Sequence, residues 1–337
     1  MDHQTIHRHR TIAVVATIAI LAWSAAGFFD RLDDGRFDPL FEPDYTIQHA
    51  RDGGTHALAG FQNGDSVISV EGIPVVDLGM YSRWPRSLSR QPGESLTLVV
   101  QRDGQLVSGD IVLREPSAGN SKLILGGIMI LLAFVCGGLW ALFSTHSVHA
   151  VRLAYIGLAL GAAMPGPYLG SWDGVAAHLE VAALVTWTML LLRFFLLFPE
   201  PKRAGQSRFA SALIYGAWSL LLITLVVELI FHPRFYHTFG PLYGLLMFVY
   251  SGLAVAALAH TVVRTSRTDL QASGMRIILM GVVIALVPTA IAAIDRMFLW
   301  NFDIPGSNWF PLMLGAIPVT MAMAVRRHTR MAEALPR

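Results

Sequence analysis

Charge is the scarcest feature of this sequence. Only 14% of its 337 residues are Asp, Glu, Lys or Arg, against about 25% in an ordinary soluble domain, so there is too little polar side chain to cover a water-facing body of this size. Cysteine is nearly absent as well. The single Cys136, inside an apolar run, excludes an internal disulfide and any cysteine-based metal cluster. The pattern His-Glu-x-x-His is missing, and with it the helix that would hold zinc and a general base for intramembrane metalloproteolysis. Ser251 lies in Tyr-Ser-Gly rather than Gly-x-Ser-Gly. His260 falls about two and a half turns further along the same helix, which is no adjacent base. A net charge of +2 gives no basic footprint for nucleic acid. These absences leave no expected catalytic residue, metal or cofactor, and no enzyme.

What the sequence has in abundance is long apolar runs. Eight segments stand out: Thr11 to Phe29, Leu123 to Phe143, Val151 to Tyr168, Val175 to Phe198, Phe209 to Phe231, Leu242 to Val263, Ile277 to Ile294 and Trp309 to Val325. Most approach the roughly 20 residues that cross the hydrocarbon layer as a helix, at about 1.5 Å of rise per residue. Strands of an outer-membrane barrel would alternate every second residue instead. Arginine and lysine cluster in alternate loops: Arg8 and Arg10, Arg152, Lys202 with Arg203 and Arg208, Arg264 with Arg267 and Arg276, and Arg326 with Arg327 and Arg330. That asymmetry predicts eight crossings of the cell's inner membrane with both termini cytoplasmic. The first segment is expected to be a retained anchor; Ser24-Ala25-Ala26 also fits the small-residue pattern before a signal cleavage site.

Between the first two segments, residues 30–120, the period changes. Tyr45 to Gln48, Ser66 to Val70, Ile73 to Val76, Ser95 to Arg102 and Leu106 to Leu113 read as strands. Glu71-Gly72 and Asp103-Gly104 supply the turns between them, and Tyr81 to Ser89 is more helical. Val67, Ser69 and Glu71 alternate with Ile68 and Val70, which predicts one packed and one wetter face. Phe61, Val67, Ile68 and Val70 are the candidate core, and Gly64, Asp65 and Gly72 the candidate turn residues. By the charge asymmetry this β-rich domain faces the periplasm or exterior.

Ala59 to Val75, AGFQNGDSVISVEGIPV, resembles the central signature of bacterial PDZ domains: a small-residue helix start, an apolar residue, Gly-Asp, an aliphatic strand, Gly, then Pro-Val. The resemblance continues through Pro92 to Leu96 and the Val99 to Val107 hairpin. It implies an extended peptide added to a sheet edge, with Tyr45 to Gly60 as the matching strand and loop; packing or dimerisation of the domain is the alternative role. The whole order of anchor, outer domain and helices resembles the membrane input region of competence-type bacterial histidine kinases. Phe194 to Arg203 and Ile277 to Pro288 echo it further. Only twelve residues follow Val325, too few for a kinase domain, so kinase activity is not carried over.

The expected architecture is therefore a multi-pass α-helical membrane protein with a PDZ-like β-rich domain inserted between helices one and two. Its parts are 1–29 tail and anchor, 30–120 outer domain, 121–325 seven-helix bundle and 326–337 cytoplasmic tail. Glu180, Glu228, Asp295 and Arg296 all fall near the outer ends of their segments and form the candidate signal or coupling patch, because buried ions in a bilayer face protein or water. His178, His232 and His237 lie near the same boundary and could change charge with pH. Arg193 is expected to snorkel to the inner interface, and Pro288 and Pro318 to bend their helices. Gly157, Gly161 and Ala162, and Gly252 with Ala256, are expected to allow close helix approach. Trp172, Phe235-Tyr236 and Trp300 are expected at the outer interface. The expected function is non-enzymatic: a sensor passing an envelope signal to a separate cytoplasmic signalling protein. The expected partners also include an extracytoplasmic peptide or protein, the lipid bilayer and a second copy of the chain. The alternatives are a scaffold for envelope proteins and, third, a transporter.

Overall fold

A computed structural model describes residues 3–32, 40–41, 46–48, 55–75, 93–113, 118–163, 173–231, 236–285 and 313–334. Among these residues the chain is mostly helical, with a two-stranded antiparallel sheet of β1 (Leu40–Phe41) and β2 (Ile47–Gln48) and a four-stranded one. The long helices are α1 (His3–Leu32), α3 (Ala118–Ser144), α4 (Val148–Ala162), α5 (Asp173–Leu197), α7 (Arg208–Phe231), α8 (Tyr236–Arg264) and α11 (Ala316–Ala334). Between them run the short α2 (Thr55–Leu58), α6 (Arg203–Gln206) and α9 (Arg267–Ala272), and the apolar α10 (Met275–Ala285). Among the described residues four stretches are long and apolar enough to cross a membrane: Gln4–Gly27, His178–Leu197, Arg208–Val227 and Leu242–Arg264. Their outward faces carry large apolar side chains, with Phe209 74%, Phe248 77% and Val263 82% exposed. An apolar surface of this extent needs lipid or protein over it.

The inserted segment builds its sheet in the order β4-β3-β5-β6, from β3 (Ser66–Val70), β4 (Ile73–Pro74), β5 (Ser95–Arg102) and β6 (Gln105–Val112). Both hairpins close on two residues with positive φ, Glu71 and Gly72 at 51° and 75°, Asp103 and Gly104 at 50° and 81°. Such turns match the right-handed twist of the strands they join. Ile47, Phe61, Val67, Val70, Leu96, Leu98, Val100 and Ile111 form one buried core. Ile68 is the exception: it is 42% exposed. The pairing of β3 with β5 shifts register between Val67 and Ser69, and the extra residue of that bulge turns Ile68 outward while Val67 and Val70 both face inward. Strict alternation therefore misplaced Ile68. The helical stretch expected at Tyr81 to Ser89 lies outside the described residues.

The helices meet through small residues and a few polar ties. A Cβ on Gly157 would lie 2.5 Å from the carbonyl oxygen of Phe134, and one on Gly138 would lie 2.8 Å from Ala154 Cα. Glycine thus lets the α3 and α4 backbones touch. Gly161 faces Ile20 and Leu131, bringing α1 onto the same pair. Gly252, by contrast, has nothing within 4 Å of its Cβ position, and Ala256 is exposed. The close approach expected there is not made among the described residues. Trp218 Nε1 donates to Thr186 Oγ1 at 3.0 Å, tying α7 to α5, and Tyr250 Oη donates to the Ile214 carbonyl at 2.7 Å, tying α8 to α7. Pro318 sits in the first turn of α11, directly after a 3₁₀ turn at 313–315.

The antiparallel arrangement of α1 and α3 is fixed by Arg10. Its Nε donates to the Leu142 carbonyl at 3.1 Å and its Nη2 to Phe143 and Thr145 carbonyls at 3.4 Å. These are acceptors a helix C-terminus leaves open. The start of α1 is thereby pinned to the end of α3. The sheet-bearing insertion leaves from the opposite end of α1 and returns to the opposite end of α3.

Candidate functional site

The end of the bundle marked by Arg10 also gathers the ends of α5, α8 and α11 and the start of α4. Phe198, immediately after α5, is fully buried. It stacks on Phe194 at 5.0 Å and receives the edges of His149 and His328 at 5.2 and 5.4 Å. This aromatic cluster joins α4, α5 and α11. A buried aromatic pair of this kind contributes about 0.5–1.5 kcal/mol beyond its burial. The cis Phe198-Pro199 bond then turns the chain toward Lys202, whose amide hydrogen bonds to Leu196 O at 2.9 Å. Lys202 Nζ donates to the carbonyls of Phe195 and Phe198, placing a cation on the negative end of α5. Burial lowers the Lys202 pKa from the ordinary lysine value.

Beside this turn lies a cavity of about 530 Å³, within the usual range for a ligand pocket or a few inserted side chains. Three walls form it. The Pro199–Lys202 turn contributes Glu200 and Lys202, the end of α8 contributes His260 and Arg264, α9 contributes Asp269, and the tail of α11 contributes His328 and Met331. Ser266 shapes the second wall: its Oγ accepts from Asp269 N at 3.2 Å and donates to Asp269 Oδ2 at 2.5 Å, starting α9 with a side-chain cap. Burial lowers the His328 pKa, partly opposed by the charge of Glu200. The lining carries both signs, Lys202 and Arg264 with Glu200 and Asp269, and Met331, Ala332 and the two prolines supply apolar surface. Such a lining suits a polypeptide segment of mixed character better than a simple anion. Among the described residues no group of three or more His, Cys, Asp or Glu could hold a metal ion.

The tail wall was hidden from sequence reading because α11 continues as one helix to Ala334, past the apolar segment's end at Val325. Arg326 lies over the Trp140 ring at 5.1 Å, holding the tail to α3. The signal that could have revealed it is amphipathic: arginines and a histidine at helical spacing after Val325.

Of the sequence-derived patch, Glu180 alone has its side chain among the described residues. Glu180 is half-buried on α5. Glu228 lies on α7, but its side chain, with Asp295 and Arg296, falls outside the described residues. His178 is buried on α5; His232, the His237 side chain, Pro288, Trp172, Phe235 and Trp300 also fall outside, as does the Tyr236 side chain. In the sheet domain Phe61, Gly64, Asp65, Val67, Val70 and Gly72 are core or turn residues. Asp65 is 2% exposed and bonds Arg102 twice, Oδ1 to Nε at 2.8 Å and Oδ2 to Nη2 at 2.6 Å. It also accepts from Gln62 N at 2.8 Å, and Arg102 donates to Gly60 O at 2.9 Å. The pair clips the Gly60–Asp65 loop to the far hairpin.

Peptide addition was expected along Tyr45 to Gly60. The strand there, β2 (Ile47–Gln48), is flanked on both sides: β1 (Leu40–Phe41) pairs with one edge, and the Thr46–Ser66 bridge with the Ile47–Asp65 bond occupies the other. A strand with two neighbours has no open ladder to offer at Ile47 and Gln48. No family model, curated protein or solved structure matches the chain.

Proposed function

We propose that this chain is a non-enzymatic sensor of the bacterial inner membrane that relays an envelope signal to a separate cytoplasmic output protein. In this reading eight crossings hold a PDZ-like domain outside the cell, and the cavity walled by Lys202, Arg264 and Met331 receives a segment of the output protein. One observation carries it: the inserted sheet attaches at one end of the α1–α3 pair, and the mixed-charge cavity lies at the other end, built from the ends of three further helices. A change at either end has a continuous helical body through which to reach the other.

The test places a photo-crosslinking amino acid at Met331 in living cells and identifies what it captures. The sensor reading expects adducts with a kinase, phosphatase or cyclase whose yield changes when the outer core is loosened by Phe61→Ala. Adducts that are insensitive to the outer domain, or formed only with envelope-assembly proteins, would replace the sensor with the scaffold.

A further inference from the structure

The four-stranded sheet has two unlike edges. One is β4, two residues long and carrying Pro74, the short proline-bearing form in which strand edges are blunted against further pairing. The other is β6, whose sequence QLVSGDIV has no lysine, arginine or proline and whose register with β5 runs without a bulge. Among the described residues β6 pairs with β5 alone. Its hydrogen-bonding directions follow from its two ends. Leu113 accepts from Gly93 N and donates to Glu94 O, both at 2.8 Å, and the Asp103-Gly104 turn closes on the Arg102–Gln105 pair. Odd-numbered residues thus direct their amide and carbonyl groups to β5. Because the direction alternates along a strand, Leu106, Ser108, Asp110 and Val112 turn theirs to the open side. The same four side chains lie on the sheet face away from the buried Ile111, where Leu106 is 68% and Val112 55% exposed.

We infer that β6 is a dimerisation edge, pairing antiparallel with β6 of a second copy of this chain about a two-fold axis at Gly109, so that two sheets become one. The strand is complementary to itself in this register. Only residues with outward main-chain groups can bond across the edge, so the register moves in steps of two residues. Centred on Gly109, Leu106 faces Val112 of the second copy, and Ser108 faces its Asp110. Both exposed apolar side chains are then covered, a hydroxyl donor meets a carboxylate, and about eight main-chain hydrogen bonds form. Gly109 meets its own copy in the class of pair whose Cα atoms come within about 4.5 Å, with no side chain to crowd the axis. Centring on Ser108 would set Asp110 against Leu106, and centring on Asp110 would oppose two like charges. The inference does not rest on the sensor reading: capture at Met331 tests the output partner, and the edge pairs whether or not that partner exists.

The experiment uses the full chain, with Cys136 replaced by serine, purified in neutral detergent and mildly oxidised. In this register Leu106 and Val112 of opposite copies lie about 5.5 Å apart at Cα, within disulfide reach, whereas the two copies of either residue lie about 20 Å apart along the strands. The double variant Leu106→Cys with Val112→Cys should therefore form a disulfide-linked dimer on a denaturing gel, and neither single variant should. An internal disulfide cannot compete, since the two positions are about 20 Å apart on one strand. Ser108→Pro, which removes an outward amide and no bond to β5, should abolish the crosslink when added to the double variant. If that chain fails to fold, Leu106→Lys with Val112→Lys, both on the exposed face, puts lysine opposite lysine and should leave the chain monomeric by light scattering where the parent is a dimer. A monomeric parent, a double variant that stays unlinked, single variants that link as well as the double, or a dimer that survives the folded blocking variants overturns the edge.

Discussion

At the residue scale, the structure separates positions that look alike in sequence. Gly157 and Gly252 both sit in apolar helices near other small residues, but only Gly157 has backbone against it. Gly157→Leu should destabilise the purified protein by about 1–3 kcal/mol through overpacking. Gly252→Ala should be neutral or stabilising by up to about 1 kcal/mol, from helix propensity alone; thermal unfolding in detergent compares them. Asp65 gives a pH signature. Its hydrogen bonds from Arg102 are the main cause holding its pKa below the usual 3.8. The folded state thus binds this proton less readily than the unfolded state, and the stabilisation is fully present above the ordinary aspartate range. It fades as pH falls through the depressed value. Protection factors of the β5 and β6 amides should fall over that interval in the parent, and Asp65→Asn should show lower protection at pH 7 with little further loss on acidification. The turns and core of the sheet were legible because Gly-Asp, Glu-Gly and Asp-Gly dictate local backbone and Phe61 and Val70 need burial. Ile68 was not, since a bulge depends on the partner strand rather than on the residues it displaces.

At the element scale, apolar length and loop charge revealed where helices run, while their ends depended on contacts between segments distant in sequence. Phe198 follows a run already rich in aromatics, and nothing local says that His149 and His328 will meet it. Phe198→Ala should cost about 3–5 kcal/mol, lower the melting temperature, and increase proteolysis of the α11 tail after Val325. Unchanged tail cleavage would show that the ring cluster does not hold that helix. The cavity was illegible for the same reason: its walls come from three parts of the chain, and Lys202, Arg264 and Asp269 each look like ordinary loop charges when read singly. Arg193 was visible as an unusual charge, but its acceptors, Gly205 O at 3.4 Å and Ser211 Oγ at 2.9 Å from Nη1, become neighbours only after the turn beyond Phe198 has formed.

At the scale of the whole molecule, the proposed membrane orientation can be read with single cysteines. With Cys136 replaced by serine, Gln105→Cys at the start of β6 should react with a membrane-impermeant maleimide added to intact spheroplasts. Met331→Cys should react only after the membrane is opened; the reverse pattern would invert the topology. The restored Cys136, exposed on a face of α3, should take up an apolar maleimide and resist the impermeant one. Arg10 gives this arrangement a mechanical character. Fastened at one tip and joined through a folded unit at the other, α1 and α3 make a pair of tweezers. A load that spreads the insertion's two attachment points swings the arms about the arginine clasp, so displacement grows with distance from it and is smallest where the clasp holds.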